Sequence, residues 1–223
     1  MLKIVLFDLD GTLVEQEHAA ALAVVEWAAQ YGITGPDVVA RWAAVSDPHY
    51  RRYQRREATF AEQRRARVQE FLGLQVDDTE ADAIFDEYLW RYEAGWQLFD
   101  DAIPAVRRAR AAGLRAMVFT NGNTAHQQQK LDRFGLTAEI DGLISSEQLP
   151  AGKPDPRAFR QALALTSVEP DQALMVGDSL TNDVQGALAV GMGAVLLARS
   201  GQHADIGVRR IASLDELSWP QAR

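Results

Sequence analysis

The sequence predicts an α/β protein with a doubly wound parallel sheet and an inserted all-helical domain. Short apolar runs without polar alternation recur along the chain and alternate with helical patterns, as is typical of strands buried on both faces of a parallel sheet. Residues 15–95 interrupt this alternation with helical patterns alone. The 223-residue chain has no cysteine and a formal net charge of -8. These values exclude a disulfide scaffold and disfavour a nucleic-acid-binding protein, which needs a basic surface.

The apolar runs and the helical patterns between them define the expected core, residues 1–14 and 96–223. The expected strands are Lys3–Phe7, Leu114–Phe119, Asp141–Ser145, Ala173–Val176, Ala194–Leu197 and, at the edge, Arg209–Ser213. Proline at helix starts and glycine at helix ends help to bound the intervening helices. These helices are Ile103–Ala112, Thr124–Phe134, Pro156–Leu165 and Thr181–Val190.

The inserted segment, residues 15–95, is predicted to form three or four helices. They are Glu15–Tyr31, Val38–Val45, a long arginine-rich helix that Pro48 opens and Gly73 ends, and a helix from Asp78 to Tyr92. Tryptophans are expected to pack these helices together: Trp27, Trp42, Trp90 and Trp96. An arginine cluster is expected to form a solvated or partner-facing surface, with the acidic last helix as its counter-charge. Its members are Arg51, Arg52, Arg55, Arg56, Arg64, Arg65 and Arg67.

Polar residues follow the expected strands at the positions where an open parallel sheet binds ligands. They are Asp8, Asp10, Thr12, Thr120, Asn121, Gly122, Lys153, Asp178, Asn182 and Asp183. Clustered carboxylates stay ionised only if cations offset their repulsion. Lys153 supplies one positive charge, and a hard divalent ion with oxygen ligands, expected to be Mg²⁺, supplies the rest. The Thr120 hydroxyl and the Asn121 backbone N–H suit the oxygens of a phosphoryl group.

Four motifs in order resemble those of the haloacid dehalogenase superfamily, in its phosphatase branch with a helical cap. They are FDLDGT (Phe7–Thr12), FTNG (Phe119–Gly122), GKPDP (Gly152–Pro156) and VGDSLTND (Val176–Asp183). The resemblance spans Leu2 to about Leu197. It implies a Rossmann-like catalytic core with the segment 15–95 as the helical cap.

The resemblance also implies a role for each motif residue. Asp8 would be the nucleophile that forms an aspartyl-phosphate, and Asp10 would be the general acid and base. Mg²⁺ would be held by the Asp8 carboxylate, the Asp10 backbone carbonyl and Asp178. Asp183 would fix a metal-bound water or Lys153 from outside the ligand shell. Thr120, the Asn121 backbone and Lys153 would bind the phosphoryl group, which makes Thr120 and Lys153 catalytic residues as well.

The expected function is therefore Mg²⁺-dependent hydrolysis of a small phosphomonoester: a sugar phosphate, a phosphoglycolate-like compound or a nucleoside monophosphate. A phosphomutase of the same fold is the alternative. A haloacid dehalogenase is disfavoured because halide leaves without a proton and Asp10 would have no task. The partner is expected to be a small phosphorylated metabolite, with no nucleic acid and no membrane. Because Asp8 and Asp10 end the first apolar run early, a secretory leader is not predicted and a cytoplasmic location is expected. The protein is expected to be a monomer or a homodimer.

Overall fold

A six-stranded parallel sheet organises the larger part of the molecule. The computed structural model describes residues 1–201 and 207–219. The strands are β1 (Ile4–Phe7), β2 (Val14–Glu15), β3 (Gln97–Leu98), β4 (Arg115–Thr120), β5 (Gly142–Ser145), β6 (Ala173–Gly177), β7 (Gly193–Leu197) and β8 (Arg210–Ile211). The large sheet has the order β5-β4-β1-β6-β7-β8, and β2 and β3 form a separate two-stranded sheet. The predicted α/β fold with a doubly wound parallel sheet is confirmed, whereas β2 and β3 were not predicted.

The first four helices lie in the chain between β2 and β3, and the later ones alternate with strands of the large sheet. The helices are α1 (Glu17–Gln30), α2 (Val38–Gln54), α3 (Phe60–Leu72), α4 (Asp78–Ala94), α5 (Ala102–Ala111), α6 (Thr124–Arg133), α7 (Pro156–Thr166) and α8 (Gly186–Leu188). None of the helices in the described part of the chain combines the length and the apolar character that a membrane span requires.

The central strand β1 determines which residues meet at the carboxyl edge of the sheet. All four of its residues are buried, because β4 and β6 pair with it on either side in parallel. Phe7 is in register with Val118 of β4 and with Val176 of β6. The segments that follow β1, β4 and β6 therefore leave the sheet side by side.

The chain divides into two compact units. One comprises Met1–Val14 and Leu98–Arg223, and the other comprises Glu15–Gln97. The first unit contains the large sheet, and the second contains α1 to α4. The assignment of these units as catalytic core and cap stays a prediction.

An aromatic cluster forms the centre of the helical unit. Trp27 is fully buried, stacks on Phe71 at 5.7 Å between ring centroids and lies edge-on to Trp42 at 5.2 Å. Its indole N–H donates to the carbonyl of Ile84 at 3.2 Å, so its single polar atom is satisfied inside the core. Trp96 is also buried, but Trp90 is 68% exposed, and the expectation that it packs between helices is wrong.

Two helix boundaries differ from the sequence prediction. Pro48 does not open a helix but lies inside α2, and the break comes at residues 55–59, where Thr59 caps α3 in a capping box with Glu62. A capping box satisfies two of the unpaired backbone donors at a helix start, whereas an interior proline removes only one hydrogen bond. The predicted helix Thr181–Val190 is a π-helical turn, Leu180–Gln185, followed by the short α8.

The arginine cluster of the helical unit is not one solvated surface. Arg65 is the member that the acidic helix neutralises, because its guanidinium bonds both oxygens of Asp82, at 2.8 and 2.6 Å. Arg67 instead turns inward: it lies 4.5 Å from the ring centroid of Trp42 and donates to the Ser46 hydroxyl at 2.9 Å. For Arg67 the expected surface position is wrong, since its charge is placed against an aromatic face and a hydroxyl.

Candidate active site

The loop after β1 is shaped by a close approach between two chain segments. Asp8 is buried, and its backbone N–H donates to Val176 O at 2.9 Å. Gly11 has φ +81°, and a Cβ added there would lie 2.3 Å from Asp178 Oδ2. The glycine is therefore required both by its backbone conformation and by the nearby carboxylate. The buried Thr12 donates its hydroxyl to Asp178 Oδ1 at 3.4 Å and helps to orient that carboxylate.

Lys153 links three separate segments of the sheet edge. Its ammonium, in a residue that is 3% exposed, donates to Asp8 Oδ1 at 2.8 Å, to Asp183 Oδ1 at 2.5 Å and to Phe119 O at 2.9 Å. The three hydrogens of the ammonium thus have three acceptors, which is what a buried lysine needs. The Asn121 side chain holds the same loop, because it bonds both the carbonyl and the N–H of Lys153 at 2.8 Å. This use of the Asn121 side chain was not predicted.

Three carboxylates form a group that fits a divalent cation. Oxygens of Asp8, Asp178 and Asp183 lie within 4.8 Å of one another. Three carboxylates against the one ammonium of Lys153 leave two negative charges. Oxygen-only donors with that charge suit a hard ion such as Mg²⁺. Both oxygens of Asp183 are already engaged, by Lys153 and by the Ser179 N–H at 3.0 Å, whereas Asp178 is only half-buried.

The electrostatics of this group follow from burial and charge. Burial raises the pKa of Asp8 well above its ordinary value; Lys153 opposes this shift, while the charges of Asp183 and Asp178 add to it. Burial alone would lower the pKa of Lys153, but the charges of Asp183 and Asp8 outweigh it and raise that pKa. Lys153 therefore stays an ammonium, and a further cation near Asp8 would be stabilised.

Asp10 has partners that sequence analysis missed. Lys130 Nζ donates to Asp10 Oδ1 at 2.5 Å, and Gln127 Nε2 donates to Asp10 Oδ2 at 2.9 Å. Gln127 Nε2 also lies 2.8 Å from Thr120 Oγ1. Burial works to raise the pKa of Asp10, but the Lys130 charge and the Gln127 and Lys130 hydrogen bonds outweigh it and lower that pKa. The one available signal was that Gln127 and Lys130 are three residues apart and so share a helix face.

The predicted site residues therefore form two groups at one sheet edge. The first is organised by Lys153 and contains Asp8, Asp178 and Asp183. The second contains Asp10 and Thr120, which Gln127 connects. The carbonyl of Phe119, directly before Thr120, accepts from Lys153, so the two groups are adjacent.

Comparison with known proteins assigns this arrangement to a family. The sequence model of the haloacid dehalogenase-like hydrolases matches residues 2–191. The chain belongs to the haloacid dehalogenase-like hydrolase family. The match covers all four motifs and the helical insertion, so the predicted resemblance is confirmed.

Curated relatives of this hydrolase carry phosphatase names. A phosphoserine phosphatase of Thermus thermophilus is 37% identical over 113 residues, which are 51% of this chain and 45% of that protein. A phosphoglycolate phosphatase of Rhodospirillum rubrum is 32% identical over 204 residues, or 89% of this chain and 80% of that protein. The chain spans about half the length of the first of these relatives.

Solved structures similar to this hydrolase include both chemical branches of the family. A phosphatase from Thermococcus onnurineus is 29% identical with a TM-score of 0.71, covering 96% of this chain and 95% of that one. A 2-haloacid dehalogenase from Pseudomonas syringae is 27% identical with a TM-score of 0.69, covering 96% of each chain. The fold is therefore common to phosphatases and dehalogenases, and the site residues have to distinguish them.

Proposed function

We propose that this hydrolase is a Mg²⁺-dependent phosphatase that hydrolyses a small phosphomonoester through an aspartyl-phosphate. The observation that carries the proposal is the grouping of Asp8, Asp178 and Asp183 around the Lys153 ammonium. A nucleophilic carboxylate, a fixed cation and residual negative charge for a divalent ion are what transfer of a phosphoryl group requires. The phosphatase names of the relatives support the same reaction class.

The proposed reaction has two half-reactions, formation of the aspartyl-phosphate and its hydrolysis. In the first, a carboxylate oxygen of Asp8 attacks phosphorus, the bond from phosphorus to the ester oxygen breaks, and Asp10 gives its proton to that oxygen. In the second, Asp10 takes a proton from water as the water oxygen attacks phosphorus. The bond to Asp8 breaks, which releases inorganic phosphate and restores the Asp8 carboxylate.

The remaining site residues bind and neutralise the phosphoryl group. Thr120 and the Asn121 backbone would donate to its oxygens, while Lys153 would balance its charge and that of Asp8. Asp183 would hold Lys153 in place through the 2.5 Å ion pair. A bound Mg²⁺ would be held by Asp8, Asp178 and the Asp10 backbone carbonyl, and would supply further charge stabilisation.

The helical unit Glu15–Gln97 is proposed to serve as the cap that selects the substrate. It is inserted between Val14 and Leu98, only a few residues after the loop that carries Asp8 and Asp10. An insertion at that point leaves the six-stranded sheet intact, and a closing domain there would exclude water during the first half-reaction. Sugar phosphates, phosphoglycolate-like compounds and nucleoside monophosphates are the substrate classes to compare.

Release of inorganic phosphate tests the proposal. The purified protein is assayed with p-nitrophenyl phosphate and a panel of phosphorylated metabolites, with MgCl₂ and with EDTA. Phosphate release that needs Mg²⁺ and is abolished by Asp8→Asn supports the proposal. The exposed Asp171→Asn is the matched control, and it should retain wild-type turnover. Near-wild-type activity in Asp8→Asn would overturn the nucleophile assignment, and an isomerised phosphate ester without free phosphate would indicate a phosphomutase.

A dehalogenase is the second candidate, because a solved dehalogenase covers 96% of this chain at 27% identity. Halide leaves without a proton, so a dehalogenase has no task for a carboxyl at position 10. In this structure Asp10 is held by two donors at 2.5 and 2.9 Å. Halide release from 2-chloropropionate, measured beside phosphate release, decides between the two reactions.

A further inference from the structure

The Asp10 carboxyl accepts hydrogen bonds from two donors that lie outside the four motifs. Lys130 and Gln127 project from α6 and are each 1% exposed. The Lys130 ammonium bonds one carboxyl oxygen of Asp10 and the Gln127 amide bonds the other, at 2.5 and 2.9 Å. The donors bond different oxygens of the carboxyl, and a quarter of the Asp10 side chain remains exposed. Each oxygen also keeps a second lone pair.

A buried ammonium at this point of α6 is an unusual choice for a helix that packs on a sheet. Removing a charge from water is costly unless it is paired, and an aliphatic residue would fill the same space without that cost. The neighbouring Leu131 is likewise fully buried. Lysine is also rare in this chain: Lys3, Lys130 and Lys153 are its three lysines. Two of the three therefore lie buried against the two aspartates of the first motif.

Gln127 connects the carboxyl of Asp10 to the segment after β4. Its Nε2 donates to Asp10, lies 2.8 Å from Thr120 Oγ1 and lies 3.2 Å from Asn121 O. An amide nitrogen has two hydrogens, so three acceptors around it fix its orientation closely. The position of the Asp10 carboxyl is thereby tied to the hydroxyl proposed to bind the phosphoryl group.

We infer that Lys130 and Gln127 are positioning residues for proton transfer by Asp10. The inference rests on the phosphatase function proposed above. The two donors fix the angle and the distance of the Asp10 carboxyl relative to Thr120, so that its open side meets the leaving oxygen of a phosphate ester bound there. Lys153 serves the nucleophile Asp8, and Lys130 serves the proton carrier Asp10, as two separate cations with separate tasks.

Dependence on the leaving group tests this role. An alkyl alcohol leaves only with a proton, whereas p-nitrophenolate leaves without one, so only alkyl phosphates need an aligned acid. Lys130→Met is expected to lower kcat/KM for the best alkyl phosphate of the panel by about 100-fold, within the range of general acid catalysis. For p-nitrophenyl phosphate the loss should stay within about 5-fold. Since kcat/KM reports the steps from free enzyme and substrate to the transition state, a slow second half-reaction does not mask the difference.

A matched control and a double variant complete the experiment. Gln128→Leu, next to Gln127, removes bonds to Asp132 and Thr137 only and should leave both rates unchanged. In an Asp10→Asn background, Lys130→Met should add less than about a 3-fold loss, because residues that act through one another are not additive. If circular dichroism shows that Lys130→Met does not fold, Gln127→Met takes its place in the same comparison.

The outcomes separate the failure of this inference from the failure of the proposed function. Equal losses for both esters, or a full additional loss in the Asp10→Asn background, would mean that Lys130 is merely structural. If the wild type releases no phosphate from either ester, the phosphatase proposal fails and the positioning role fails with it. If the wild type is active and Asp8→Asn is not, unequal losses that disappear with Asp10→Asn establish the role.

Discussion

Replacing Lys153 with methionine should destabilise the sheet unit more than any surface substitution. The ammonium holds Asp8, Asp183 and a backbone carbonyl at 2.5–2.9 Å. Its removal leaves two buried carboxylates without their common cation. Breaking a buried ion pair on one side costs about 3–5 kcal/mol. At about 2–4 °C per kcal/mol for a chain of this size, the melting temperature should fall by about 6–20 °C.

Thermal unfolding followed by circular dichroism in EDTA measures this loss without interference from bound metal. Lys3→Met removes an exposed lysine and should change the free energy of unfolding by no more than about 0.5 kcal/mol. Adding Asp183→Asn to Lys153→Met removes one of the uncompensated carboxylates, so the double variant should be less destabilised than the sum of the single variants. A melting temperature of Lys153→Met equal to that of Lys3→Met would refute the reasoning, as would strict additivity with Asp183→Asn.

Three further substitutions test other contacts. Asp101 accepts two bonds from Arg199, and although burial works to raise the pKa of Asp101, the bonds from Arg199, Ser213 and the Leu214 N–H lower it. Because the pKa of Asp101 is lower in the folded than in the unfolded protein, the ionised carboxylate stabilises the fold at pH values above the unfolded pKa of about 3.9. This stabilisation is lost as the pH falls through the folded pKa. Asp101→Asn should therefore lower the melting temperature at pH 7, and the gap to the wild type should close in acid; a gap independent of pH would contradict this. Gly177→Ala would place a Cβ 2.2 Å from a carboxylate oxygen of Asp183, so phosphate release should fall more than 10-fold; unchanged turnover would show that the loop adapts. Trp27→Ala should cost about 3–5 kcal/mol in urea unfolding of the helical unit, because it empties the centre of the aromatic cluster; a loss under about 1 kcal/mol would mean that the cluster collapses to fill the space.

The sheet was predictable from sequence because its signal is local. After Lys3, the run Lys3–Phe7 contains no polar residue that could face solvent, and β1 is buried throughout. The two-residue strands β2 and β3 carry no such signal, because two residues cannot show a period. The prediction for Pro48 is wrong for a related reason. Proline disfavours a helix interior locally, but neighbouring turns can retain it there, and the capping box at Thr59 determines where the next helix begins.

The motif residues of the site were predictable, but their supporting residues were not. Asp8 and Asp178 each lie directly after a strand, so parallel topology brings them to one edge, and Asp183 follows in the π-helical turn after β6. Gln127 and Lys130 instead lie inside α6, and polar residues inside a helix usually face water. Which face α6 turns toward the sheet depends on the loop after β4, where Gly122 at φ +155° lets the chain pass close to the Gln127 side chain. The orientation of α6 depends on tertiary structure, and no local sequence pattern predicts it.

The two buried lysines explain how the closely spaced carboxylates of Asp8 and Asp10 can have different chemical roles. The group of Asp8, Asp178 and Asp183 keeps two negative charges after Lys153 is counted, so a divalent cation is drawn to it. Asp10 with Lys130 carries no net charge and exerts little attraction on a second cation. The Asp10 side chain therefore does not add to the cation site, although Asp10 follows the nucleophile by only two residues. Separate lysines thus allow one short loop to present a nucleophile and a proton carrier side by side.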